Sequence, residues 1–134
     1  MKILFTLMCF CLLIGWTDQA LAQHGGKAEP SRISFQKGAT SATVSRYLKH
    51  GEQMEYVFAA TKGQKVSLKI VSTPKGKFHY FTIKSDFGFV SDYDINFDWT
   101  FDAPETGDYF VTVTLRPTDK VRQGRFRLTL TIKR

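Results

Sequence analysis

The stretch Met54-Glu55-Tyr56-Val57-Phe58-Ala59-Ala60-Thr61-Lys62-Gly63-Gln64-Lys65-Val66-Ser67-Leu68-Lys69-Ile70 decides the fold. Met54, Tyr56 and Phe58 share one face, and Val66, Leu68 and Ile70 form another against Ser67 and Lys69. Successive side chains of an extended strand point to opposite sides, so this period of two marks two half-buried strands. Thr61-Lys62-Gly63-Gln64 between them is a short turn with a glycine. Two such runs joined by a glycine-bearing turn predict a β-hairpin.

The same pattern extends in both directions. Upstream, Ile33 and Phe35 alternate with Ser34, a Lys37-Gly38 turn follows, and a strand runs through Thr43, Ser45 and Tyr47 to the His50-Gly51 turn. Downstream, Phe78 to Lys84 is aromatic and β-branched, with His79 expected to point outward between Phe78 and Tyr80. Asp92 to Asp102 alternates throughout. Tyr93, Ile95, Phe97, Trp99 and Phe101 lie on one side, opposed by Asp92, Asp94, Asn96, Asp98, Thr100 and Asp102. Pro104-Glu105-Thr106-Gly107 turns the chain into Tyr109, Val111, Val113 and Leu115. A polar connection, Arg116 to Gly124, leads into Phe126, Leu128, Leu130 and Ile132. No segment of residues 32–134 has a helical period. About eight strands at short spacing predict one all-β domain, an antiparallel, jelly-roll-like β-sandwich.

The N-terminus has a different grammar. Lys2, the apolar run Ile3 to Gly15 and the small-x-small site Ala20-Leu21-Ala22 predict a cleaved signal peptide over residues 1–22. The run is too short for a membrane span, so no anchor is expected. Residues 23–31, beginning at Gln23, read as a flexible leader, and the mature chain is expected to be exported to an oxidising compartment, the periplasm or the exterior. Cys9 and Cys11 leave with the signal, which excludes a disulfide scaffold. The formal charge of +7 survives, because Lys2 and Asp18 leave together.

Catalysis has little to stand on. His24, His50 and His79 are scattered, and no cysteine remains after processing; nucleophilic chemistry needs a base within hydrogen-bond reach of its nucleophile. Asp92, Asp94 and Asp98 carry oxygen ligands at alternate positions, as Ca²⁺ prefers, but Phe97 and Ala103 stand where a helix-flanked calcium loop needs glycine and glutamate. A solvated acidic strand face accounts for them, and no metal or other cofactor is expected. The basic charge is clustered instead. Arg116, Lys120, Arg122, Arg125 and Arg127 fall within twelve residues, mostly on one inter-strand connection. Long connections on a rigid sandwich favour recognition, and arginine suits bidentate contact with carboxylates. No nucleic-acid-binding signature accompanies the charge.

Ile33-Ser34-Phe35-Gln36-Lys37-Gly38-Ala39-Thr40-Ser41-Ala42 resembles the opening strand and turn of the periplasmic inhibitors of goose-type lysozyme. Tyr56 to Val66 resembles a hairpin of the same family more closely, and Gly107-x-Tyr109 with the basic connection and final strand fits in order. The chain is also similar to bacterial pre-peptidase C-terminal domains, through the Tyr56–Val66 segment and Ala103-Pro104-Glu105-Thr106-Gly107-Asp108-Tyr109. The first resemblance implies a β-sandwich that blocks the substrate cleft of a goose-type lysozyme, its partner. Arg116, Lys120 and Arg122 would make the contact, with Asp119 and Arg125 as neighbours. The second implies a free-standing envelope module that binds glycan or calcium.

Overall fold

The computed structural model describes residues 29–91, 96–118 and 120–134. Among them the strands are β1 (Ser31–Arg32), β2 (Ser41–Lys49), β3 (Gln53–Ala60), β4 (Lys65–Thr73), β5 (His79–Ser85), β6 (Asp98–Asp102), β7 (Gly107–Leu115) and β8 (Gln123–Lys133). They form two four-stranded sheets, ordered β1-β3-β7-β5 and β2-β8-β4-β6. All pairings of these strands are antiparallel except the two-residue pairing of β1 with β3. No helix among the described residues is long and apolar enough to cross a membrane.

The odd-numbered strands make one sheet and the even-numbered strands the other, so every connection between successive strands crosses the sandwich. The partners are nested: β2 with β8, β3 with β7, β4 with β6. This is the jelly-roll pattern, a chain doubled back on itself and wrapped. It corrects the predicted hairpin. β3 and β4 lie in opposite sheets, and Thr61–Gln64 arches between them. The arch closes locally through Gln64 N–H to the Thr61 carbonyl (3.0 Å) and Thr61 N–H to Gln64 Oε1 (2.8 Å). Its remaining groups bond to the arch between β6 and β7: Gly63 N–H to Ala103 O and Ala103 N–H to Gln64 O, both 2.8 Å, and Lys62 N–H to Thr106 Oγ1, 2.9 Å. Gly63 sits at φ +86°, open to glycine at little cost.

The inner faces are those the alternation predicts. Tyr56 and Phe58 of β3, Val66, Leu68 and Ile70 of β4, Tyr109, Val111, Val113 and Leu115 of β7 and Phe126, Leu128 and Leu130 of β8 are buried together. Each such side chain contributes about 1.5–3 kcal/mol by leaving water. Tyr109 is at the centre, stacked on Phe58 at 5.5 Å and met by Phe87, Phe89 and Phe101 within 5.7 Å. Phe89 also stacks on Trp99 (6.0 Å) and Phe101 (4.9 Å), filling the edge between β5 and β6 with rings. Trp99 is therefore on the inner face, as expected, but only half-buried.

Two side chains are turned the other way from expectation. Asn96 is buried, because the chain crosses between sheets there. Its backbone pairs with Phe81 of β5, whereas the Phe97 carbonyl already accepts from Ile70 of β4. Its side-chain amide donates to the Phe81 carbonyl (3.1 Å) and Ser91 Oγ (3.3 Å), which offsets burial. His79 is also buried, at 1% exposure, because β5 places it on the inner face with Phe81 and Ile83.

Candidate functional site

The strand registers bring three connections to one end of the sandwich: residues 49–53 between β2 and β3, 73–79 between β4 and β5, and 115–123 between β7 and β8. They are pinned to one another through their backbones. Arg116 N–H donates to the Phe78 carbonyl (2.6 Å), and His50 N–H to the Arg122 carbonyl (2.8 Å). The long connection also folds on itself. Val121 N–H reaches Thr118 O (3.2 Å) and Thr118 Oγ1 (3.1 Å), while Thr118 N–H donates to Val121 O (2.9 Å). Val121 is buried, so this otherwise polar connection is anchored by one apolar side chain.

Arg116, Lys120 and Arg122 are brought together on this connection, all exposed. Lys49, Lys75 and Lys77 join them from the other two, which the linear sequence does not reveal. By sequence the three connections hold six lysines and arginines against two acids, Glu52 and Asp119. Glu52 is engaged locally, accepting from Lys49 N–H at 2.8 Å. The Lys77 ammonium lies 5.2 Å from the centre of the Phe97 ring. Asp119 lies outside the described residues. Arg125 is not in the loop cluster. It projects from the outer face of β8 directly opposite Tyr47, whose ring is 44% exposed.

Many of the acids lie elsewhere. Arg32 makes a two-pronged pair with Asp108 (3.1 and 2.8 Å), which holds the Asp108 carboxyl below its usual range. Lys65 meets Asp102 at 3.3 Å and Lys62 meets Glu105 at 4.0 Å. Of the acidic strand face, Asp98 is exposed and stands opposite Lys69 of β4. Asp92 and Asp94 lie outside the described residues. Among those described, no three His, Asp or Glu side chains are arranged to hold a metal.

Under the cationic end lies the pair His79–Ser72. Ser72 Oγ accepts from His79 N–H (3.1 Å) and lies 3.0 Å from Nδ1. Nε2 is buried with no hydrogen-bond partner, and the ring packs on Phe126 at 5.5 Å. Burial holds the imidazole pKa below its ordinary 6.5, opposed by the Gly124 backbone. Ser72 and His79 are at most 4% exposed. A nucleophile–base pair must reach substrate to act, so this pair is structural.

No protein-family model and no curated protein matches the chain. Solved structures do. The periplasmic inhibitor of g-type lysozyme from Aeromonas hydrophila, PliG, superposes with a TM-score of 0.64 at 20% identity, covering 78% of this chain and 96% of that one. The Salmonella Typhimurium PliG gives 0.59 at 24% identity over 80% and 100%. The pre-peptidase C-terminal domain of a Bacillus anthracis collagenase gives 0.58 at 16% identity over 82% and 100%. Both resemblances read from the sequence therefore hold at the level of fold.

Proposed function

We propose that this chain is an exported, non-catalytic inhibitor of goose-type lysozyme that seats its cationic end in the substrate cleft. The observation that carries the reading is that end itself: Arg116, Lys120 and Arg122, joined by Lys49, Lys75 and Lys77, on a sandwich shared with solved inhibitors of that class. Cleavage of a glycosidic bond relies on a pair of carboxyl groups, so a muramidase cleft offers acids to pair with. Arginine forks match carboxylates in two-pronged geometry, and a one-signed surface steers the encounter. Backbone bonds pin the three connections together before binding, which lowers the ordering cost of association. Arg125 and the ring of Tyr47 extend the surface at its margin. The signal-like residues 1–22 support a periplasmic location, where an incoming lysozyme would be met.

The test is a cell-wall lysis assay with goose-type, chicken-type and invertebrate-type lysozymes. Inhibition of the goose-type enzyme at micromolar protein, with the other two spared, is the expected result. Unimpeded lysis by all three overturns the reading.

A further inference from the structure

The outer face of the sheet β2-β8-β4-β6 touches the proposed lysozyme surface only at Tyr47 and Arg125, and the rest of it has an organisation of its own. Its registers line up Ser41, Thr131, Ser67 and Thr100 straight across all four strands. Ser41 Oγ is 2.7 Å from Thr131 Oγ1, and Ser67 Oγ is 2.8 Å from Thr100 Oγ1. The next row holds Thr43 and Thr129, their hydroxyls 3.2 Å apart, then Lys69 and Asp98. Beyond it come Ser45, Arg127 and Val71, then Tyr47, Arg125 and Thr73. A hydroxyl carries one hydrogen, and each cross-strand pair consumes one of its two. Each pair therefore keeps one O–H that is free to donate.

We infer that this face is a binding surface for an anionic polysaccharide, a glycan strand bearing carboxylates. Three features select that chemistry. No acid stands on the outer face of β2 or β8, whereas Arg125 and Arg127 do. Asp98 and Asp102 are confined to the β6 edge, opposite Lys69 and Lys65. The low Ser and Thr side chains leave a level floor studded with donors and acceptors, suited to sugar hydroxyls. Tyr47 offers an exposed ring on which a sugar face can stack. A protein-docking patch needs a desolvated apolar centre. Here Tyr47 and Val71 are the exposed large apolar side chains, and Arg125 and Arg127 separate them along β8.

The probe is polygalacturonate, with dextran as the uncharged control and polyglutamate as the charged peptide control, measured by calorimetry across a salt series. The surface predicts binding to polygalacturonate that weakens with salt and is absent for dextran. Arg127→Ala should weaken it about tenfold and flatten the salt dependence, because exposed charges are screened. The double change Thr43→Val and Thr129→Val should weaken it severalfold at every salt concentration, with the melt confirming the fold. Lys75→Ala with Lys77→Ala should leave it unchanged, which separates this face from the lysozyme surface. No binding to polygalacturonate overturns the inference. So does a Thr43/Thr129 variant that binds like wild type, or polyglutamate bound as tightly, since either means that the face reads charge alone.

Discussion

The hydroxyl of Tyr109 donates to the carbonyl of Glu105, 2.6 Å away, and so ties the first turn of β7 to the arch that delivers it. Glu105 N–H returns a weaker contact to the Tyr109 hydroxyl oxygen at 3.4 Å. A tyrosine near a strand start that bonds back a few residues upstream is the device known as a tyrosine corner in other sandwiches. Here it fixes the crossing from β6 to β7 while the ring anchors the core.

Tyr109→Phe removes the bond and keeps the ring. It should cost about 1 kcal/mol. Tyr109→Ala also empties the centre of the aromatic cluster and should cost about 3–5 kcal/mol. Urea melts check both, and equal losses for the two variants would show that the hydroxyl, not the ring, carries the role.

Trp99 separates inner-face position from full burial. Its half-exposed ring stacks on Phe89 and Phe101, so Trp99→Ala should cost about 2 kcal/mol, below the usual range for a fully buried ring. The melt should shift without a change of slope.

Gly124 lies where β8 passes the β4–β5 connection. A Cβ there would meet the Thr73 carbonyl at 2.9 Å and His79 Cε1 at 3.3 Å. The backbone oxygen cannot swing aside, so Gly124→Ala should destabilise by about 1–3 kcal/mol. A melt within error of wild type would contradict this close approach.

His79 gives a pH signature of known sign. Its pKa is lowered in the folded state, so below about 6.5 the unfolded chain binds more protons than the folded one. The stability that His79 contributes is present above that pH and drains away as pH falls toward the depressed folded value. Urea melts from pH 7.5 to 4.5 should show this slope, and His79→Leu should flatten it. An unchanged slope would place the titration elsewhere.

The strand faces were legible in the sequence because burial on one side of a pleat leaves a period of two. Tyr56 and Phe58, Val66 and Leu68, and Tyr109 to Leu115 all obey it. Hairpin and arch share that local signal. Only the distant partners, β7 for β3 and β8 with β6 for β4, distinguish them, and no window of sequence contains both. His79 escaped for a related reason, because flanking Phe78 and Tyr80 are themselves half-buried and mask the phase of β5. At the cationic end, Arg116, Lys120 and Arg122 were visible as a cluster in line. Lys49, Lys75 and Lys77 join them only through the topology.

Titrating goose-type lysozyme with wild type and with the triple variant Arg116→Ala, Lys120→Ala, Arg122→Ala, each melted in parallel, tests the role of the cationic end most directly. These side chains are exposed, so the variant should melt like wild type. Its inhibition should weaken by about tenfold or more, through slower association at low salt and faster release wherever a paired charge is lost. A variant that melts like wild type and inhibits in full would contradict the account, reducing the cationic end to a solvated edge.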